Sequence, residues 1–455
     1  AALYGSNAAN GAILITTKKG EEGKAQVTYS STADFSRPLM MPKFQNRYGN
    51  KAHTYESWGD RLTTPSDFDP RRDFFNTGTN FINSVTLTTG NKHNQTFASI
   101  ASTNSKGIVP NNTYDRYNFT VRNTSKMLDD KLQLDLGASY VKQKDKNMVS
   151  QGQYWNPIVA AYLYPRGESF EKIKTFERFN ADRNLPAQYW PIADGVFANQ
   201  NPYWTAFRNV APNNKDRFMF NGGLTYHILD WLNVSGRIRM DKSFVKSERK
   251  IYATSHDVFA KSKGHYEYGN YEDNQLYSDF MVNINKHLKD FSIAANIGLS
   301  YSDYSSLTRG YKGNLILVPN LFSAHNIDPA EGSIKEEGGD TNVRNFAMFA
   351  SAELGWRSMI YLTLTGRNDW NSRLVNSKEE SFFYPSVGLS AIVSEMVNLP
   401  KAISYLKVRG SYTEVGAPIS KSGMTPGTIT IPIKGGVIKP TGIYPYGDFK
   451  AERTK

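Results

Sequence analysis

From Val27 onward the chain alternates apolar and polar residues with a period of two, and the pattern returns along its whole length. Val27, Tyr29, Ser31, Ala33 and Phe35 form one set against Thr28, Ser30, Thr32 and Asp34; Leu132, Leu134, Leu136, Ala138 and Tyr140 alternate with Gln133, Asp135, Gly137 and Ser139. A period of two gives a strand with one apolar and one wet face. Further segments fall at 81–89, 96–103, 116–123, 218–226, 232–240, 280–284, 291–301, 348–354, 360–366, 387–393 and 406–412, about thirteen strands in all. A length near 10 residues is what a tilted strand needs to cross a bilayer's hydrocarbon.

The connections sharpen this reading. After even-numbered strands they are tight, at 90–94, 126–131, 227–231, 287–290 and 355–359. After odd-numbered strands they are mostly long, at 36–80, 141–216, 242–274, 302–343 and from 415 onward. This describes consecutive antiparallel hairpins with all elaboration at one end, as in an outer-membrane barrel. A soluble Greek-key sandwich scatters its long crossings to both ends. The fold class expected is therefore all-β, an antiparallel transmembrane β-barrel. Tyr29, Phe35, Tyr140, Tyr226, Tyr301 and Tyr412 lie where interfacial aromatic girdles form.

No apolar run approaches the ~20 residues of a membrane-spanning helix. The chain has no cysteine, so disulfides and thiolate metal sites are excluded. The formal charge of +12 is scattered among acids without a basic helix or run, so nucleic acid is not an expected partner. No phosphate loop, His-Glu-x-x-His or Gly-x-Ser-x-Gly is present and the histidines are far apart; neither catalysis nor a cofactor is expected. Asp67, Asp69 and Asp73 lack the glycine and closing glutamate of a calcium loop, and Asx-type capping is their expected role. In the long connections, 151–164 has helical spacing and ends at Pro165. Tyr189-Trp190-Pro191 and Asn201-Pro202-Tyr203-Trp204 read as aromatic turns. Tyr154, Trp155, Tyr189, Trp190, Tyr203 and Trp204 are the candidate solute contacts, because a flat amphipathic ring suits a sugar face or a peptide side chain. Packing within a loop core is the competing role for each.

The head of the chain differs from the rest. A turn-rich stretch with Gly5 and Gly11 runs into Ala12-Ile13-Leu14-Ile15-Thr16-Thr17, read as a strand buried on both faces, and Lys18-Lys19-Gly20 stops it. Tyr4-Gly5-Ser6-Asn7-Ala8-Ala9-Asn10-Gly11, continuing to Gly20, resembles the end of the plug domain in SusC/RagA-like TonB-dependent outer-membrane transporters. Further similarity runs through Asp230-Trp231-Leu232-Asn233-Val234, Gly366-Arg367-Asn368-Asp369-Trp370-Asn371-Ser372 and Leu406-Lys407-Val408-Arg409-Gly410-Ser411-Tyr412. Near the end, Ala451 stands where the family usually has proline.

The resemblance implies a division into the end of the plug (1–20), a hinge (21–26) and the first portion of the barrel (27–455), about 22 strands being expected in the whole protein. The chain then reads as a piece of a longer one. Tyr4, Gly5, Ser6, Asn7, Asn10 and Gly11 are the plug motif. Arg116, Arg122, Arg237, Arg239, Arg367 and Arg409 alternate with the apolar set, so they are expected to face the lumen and grip the plug or guide an anionic solute. The resemblance also implies TonB-dependent import across the outer membrane of a Gram-negative bacterium. TonB would act through a segment upstream of Ala1, a SusD-like lipoprotein would cap the mouth, and an oligosaccharide or oligopeptide would be carried. Outer-membrane lipid and lipopolysaccharide would surround the barrel. A passive porin, a surface adhesin and a secreted glycan-binding protein are the alternatives; the last requires the leucine rows to meet a closed apolar core.

Overall fold

The computed structural model describes residues 5, 13, 18–149, 152, 154–192, 199–330, 334–337, 341–375, 379–400, 402–418, 433–434, 437–438 and 450–454. Thirteen strands follow one another in an antiparallel meander. They are β1 (Gly23–Ser36), β2 (Gly78–Gly90), β3 (Asn94–Lys106), β4 (Thr113–Met127), β5 (Leu132–Lys146), β6 (Pro212–Leu229), β7 (Leu232–Tyr252), β8 (Gly264–Leu288), β9 (Phe291–Asn314), β10 (Thr341–Trp356), β11 (Ile360–Asn371), β12 (Ser381–Ile392) and β13 (Lys407–Thr413). With two short strands, Asn209–Val210 and Ile334–Glu337, paired at its side, they make one 15-stranded sheet. Each strand read from the sequence is present, in the order read.

The two faces differ as the alternation demands. One row across the sheet runs Val27, Leu87, Ala98, Val121, Ala138, Phe220, Met240, Leu276. Another runs Leu134, Leu224, Gly236, Phe280, Leu299, Met348. Leu136, Leu224, Ile297, Met348 and Leu389 are exposed, and none of the described sheets covers them. A water-facing surface does not carry an apolar band of this extent; one that faces hydrocarbon must. The first row continues from Leu276 to Asp303 and Arg344, which form an ion pair at 3.0 Å, so a line perpendicular to the strands climbs out of the band. Strands tilted against the bilayer normal produce that climb. The secreted-sandwich alternative, with its closed leucine core, is overturned.

The tight turns are as expected, and Arg357 and Ser358 sit at φ of 50° and 58°. Two consecutive left-handed residues match the twist of a short hairpin. The opposite end departs from expectation in three ways. First, β7, β8 and β9 run for 21, 25 and 24 residues, so most of 242–274 and part of 302–343 is strand and not loop. Above the hydrocarbon both faces are wet or packed, alternation is no longer imposed, and the ladder of backbone hydrogen bonds continues without it. Second, β1 begins at Gly23, inside the expected hinge. Third, Ile13 is 92% exposed; the rest of the buried strand expected over residues 12–17 lies outside the described residues.

The long connections fold into a layer with its own core. Phe68, Phe74, Val109, Ala161, Tyr164, Phe170, Ile173 and Ile192 join the connections after β1, β3 and β5 into one cluster. Four short helices brace it: α1 (Pro70–Asp73), α2 (Pro157–Leu163), α3 (Phe170–Lys174) and α4 (Pro202–Arg208). Three begin with proline behind an Asx cap, namely Asp69, Asn156 and Asn201, the pairing in which a side-chain oxygen takes a free helix N–H and proline needs none. Asp69 thus has the capping role expected of it, and Asn201-Pro202-Tyr203-Trp204 opens a helix where a turn was expected.

Candidate functional site

The polar face of the sheet carries ion pairs spaced across it. Arg237 on β7 donates to both carboxylate oxygens of Asp279 on β8, at 2.9 and 3.1 Å, and the Asp279 side chain is fully buried. Arg217 on β6 pairs with Asp241 on β7. The most enclosed group lies on β11, where Arg367 and Asp369, two residues apart, point to the same side. Arg367 donates through Nε to both Asp369 oxygens at 3.1 Å and through Nη2 at 2.9 Å. The Tyr384 hydroxyl on β12 and the Asn345 amide on β10, the latter at 3.1 Å, also donate to Asp369, and Phe349 on β10 lies 5.5 Å beneath the guanidinium. Three adjacent strands thus satisfy one buried charge pair.

The N-terminal segment meets this face at two places. Gly5, at φ 79°, lies against Arg367: a β-carbon there would stand 3.1 Å from Nη2. Only glycine takes that backbone angle without strain and leaves room for the guanidinium. At the other place, Lys19 pairs with Asp135 on β5 at 3.8 Å, and Gly20 is pressed against the β3 backbone, where a β-carbon would fall 2.5 Å from the Thr96 nitrogen. Gly5 from the plug motif and Arg367 from the arginine set, far apart in sequence, are therefore brought together. Tyr4, Ser6, Asn7, Asn10 and Gly11 lie outside the described residues.

The other arginines are differently engaged. Arg116 donates to Asn118 of its own strand at 2.9 Å, Arg122 is half-buried opposite Phe97, Arg239 lies over the Tyr277 ring at 5.8 Å, and Arg409 is exposed on β13. Asp135, Asp369, Tyr384 and Phe349 were missed in the sequence. The signal available was Arg-x-Asp on one strand face, which by period two sets both charges on the same side.

The candidate aromatics divide by burial. Trp204 is fully buried, its Nε1 donating to the Ser255 hydroxyl at 2.8 Å, so it has no face left for a solute. Tyr203 packs edge-on to Phe74 at 5.5 Å, and burial first, then the nearby Glu171 and Asp73, push its hydroxyl up to about 12. Trp190 sits 5.6 Å from Tyr164. These three are core residues of the loop layer, the competing role set out for them; the expectation that Trp204 contacts solute is corrected by its enclosure. Tyr189 carries Arg178 over its ring at 3.4 Å, and Trp155 packs at a tilt against Phe259 at 3.9 Å with Arg249 at 5.3 Å. Tyr154 stays exposed beside Phe259. Arg166 is a further enclosed charge: held between Phe44 and Phe68 at 5.3 and 4.8 Å, it donates to the Tyr164 carbonyl at 2.7 Å, and burial lowers its pKa.

Comparison with known proteins agrees with this geometry. Residues 154–455 match the family model described as TonB dependent receptor-like, beta-barrel. The TonB-dependent receptor SusC of Bacteroides thetaiotaomicron is 31% identical over 151 residues, which is 32% of this chain and 15% of SusC. The RagAB peptide importer in its open-open state superposes with a TM-score of 0.76 at 16% identity, covering 99% of this chain and 54% of that one. A ferric enterobactin receptor of Pseudomonas aeruginosa superposes at 0.51 with 11% identity, over 94% of this chain and 49% of its own. The chain thus spans about half the length of the solved relatives it matches. It belongs to the TonB dependent receptor-like, beta-barrel family and is a SusC/RagA-like member of it.

Proposed function

We propose that this chain is part of an energy-coupled outer-membrane importer, with residues 1–20 ending a plug, 21–26 linking it and 27–455 forming the first portion of the barrel. The observation that carries the reading is the pair of contacts made by the N-terminal segment, Gly5 on Arg367 and Lys19-Gly20 on Asp135 and Thr96. A passive porin needs no such seat. In this reading TonB pulls on a segment upstream of the chain, the seat releases, and a solute held at the mouth enters. The likeness to SusC and to a peptide importer supports an oligosaccharide or oligopeptide as cargo and a SusD-like lipoprotein over the loop layer. Tyr154, exposed, and the partly exposed Trp155 and Tyr189 are the candidate aromatics left for solute. The test is uptake of a candidate solute by cells with and without TonB: import should stop without it, and equal uptake refutes energy coupling. Protection of the 151–204 connection from proteolysis by the solute would identify the cargo.

A further inference from the structure

The extended ends of β6 to β9 hold a hollow on the polar face. Ser247, Gly269 and Gly310 stand in register on β7, β8 and β9, with Asn213 of β6 opposite Ser247. Ser247 lies an even number of residues from Arg237, and Gly269 from Asp279, so the row shares the face of that ion pair. Small residues side by side leave a depression of about 290 Å³, bounded by Arg249, Glu267, Thr308 and Lys312. Its floor is aromatic. A β-carbon on Gly269 would stand 2.8 Å from the Tyr271 hydroxyl and 2.9 Å from the ring, so the tyrosine lies down across the glycine, and it stays 42% exposed. A flat ring bordered by hydroxyl, amide and guanidinium groups suits a pyranose, which is apolar on its faces and polar around its edge. An apolar peptide side chain would leave that border unpaired.

A second chamber, of about 50 Å³, opens beyond Arg249 and Ala211, which line both. Trp155, Met148 and Pro157 give it apolar walls, and Asn209 supplies a polar group. Oδ1 and Nδ2 of Asn209 are both enclosed, and neither has a hydrogen-bond partner among the described residues. A buried acceptor and donor held side by side and unused are costly until something completes them. Arg249 is engaged elsewhere: its guanidinium lies over Trp155 at 5.3 Å and pairs with Glu267 at 3.8 Å. The natural complement of a carboxamide is a second amide, whose N–H and C=O answer its oxygen and nitrogen, and the apolar walls suit a methyl carried on that amide. An acetamido group has all three parts.

We propose that these joined chambers bind an N-acetylated hexosamine unit of an oligosaccharide, its ring on Tyr271 and its acetamido group on Asn209 beside Trp155. The inference narrows the cargo of the proposed importer and in that respect rests on the import reading. The experiment titrates the intact protein in mild detergent, by calorimetry and competition, with N,N′-diacetylchitobiose and with cellobiose, which has the same linkage and hydroxyls in place of the acetamido groups. Wild type should prefer the acetylated disaccharide roughly 30-fold, from two hydrogen bonds that cellobiose lacks. Asn209→Ala should erase that preference and leave cellobiose affinity unchanged. Ser247→Trp, which fills the first chamber, should abolish binding of both and serves as the test where Asn209→Ala does not fold; heat-modifiable gel mobility reports folding of each. Equal wild-type affinity for the two disaccharides, or a preference kept by folded Asn209→Ala, overturns the site. Absence of disaccharide binding overturns it too, and Asn209-dependent binding of trialanine would then give the chambers to a peptide. Binding to the purified protein does not involve TonB, so equal uptake with and without TonB refutes the import reading and not the site.

Discussion

Replacing Asp369 by alanine isolates the buried charge on which Gly5 rests. Its carboxylate takes two bonds of 3.1 Å and one of 2.9 Å from Arg367, and the two side chains retain only 9% and 2% exposure. Without Asp369 the guanidinium stays buried over Phe349 without its carboxylate, and the Tyr384 hydroxyl and Asn345 amide lose an acceptor. Breaking a buried pair from one side costs about 3–5 kcal/mol. Removing both charges together, as Arg367→Ala/Asp369→Ala, should cost less than the Arg367→Ala and Asp369→Ala losses summed, because no buried ion is left unpaired; the shortfall is the coupling between the two sites. Urea unfolding of the intact protein in bilayers measures each corner of this cycle. Trypsin cleavage after Lys18 and Lys19 reports whether the N-terminal segment loosens in step. If Asp369→Ala costs under about 1 kcal/mol, the pair is not desolvated and the reasoning fails.

Other outcomes follow from the same geometry. Leu136→Arg, on the exposed apolar face, should lose about 2–4 kcal/mol of folding into bilayers, while Gln133→Arg on the polar face should fold normally; equal losses would erase the distinction between faces. Asn201→Ala removes the cap of α4 and two bonds to the carbonyls of Ile173 and Tyr189, at 2.8 and 2.9 Å, and should destabilise the loop layer by about 3 kcal/mol, read as faster chymotryptic cutting within 147–211. Tyr203 titrates upward to about 12, so its contribution is complete below pH 10 and lost as pH rises toward 12; tyrosinate absorbance should lag there, and unchanged loop proteolysis between pH 9 and pH 12 would count against its burial.

What the sequence made legible was what hydrocarbon imposes. Leu132 to Tyr140 could be read because one face must be apolar wherever lipid touches it, and that constraint ends at the membrane edge. Lys142 to Lys146 continue the same strand with charges on its outer side, so the strand survives while its pattern does not. The loop layer was less legible for a related reason. Phe68 from the connection after β1 meets Tyr164 and Phe170 from the one after β5, with ring centroids 4.1 to 6.0 Å apart, and no periodicity links them. The Asn-Pro caps at 156–157 and 201–202 are readable local signals, although the aromatic pair behind the second favours a turn as readily as a helix. For the seat of the N-terminal segment, alternation supplied Arg367 and motif supplied Gly5. Their contact could not be inferred, because neither alternation nor motif says which strand Gly5 meets.

The two contacts of the N-terminal segment set the order in which a pull would act on the proposed plug. Gly5 touches β11, whereas Lys19 and Gly20 touch β5 and β3, strands far apart in the sheet. The two anchorages are unequal. Lys19 and Asp135 are 3.8 Å apart with the lysine 59% exposed, a pair worth less than about 1 kcal/mol, whereas Arg367 is enclosed and bonded to a buried carboxylate. A force from upstream reaches Gly5 first, at the more enclosed contact, and the Lys19 contact adds little once that one has yielded. Lys19→Ala should therefore leave both uptake and protease resistance of the segment close to wild type, and Gly5→Ala should not. The added methyl meets the Arg367 guanidinium and forces an alanine to φ 79°, about 1–2 kcal/mol of strain in the seated state alone, which corresponds to roughly 5- to 30-fold greater opening. Equal accessibility in the two variants would mean that the segment is held somewhere other than Arg367.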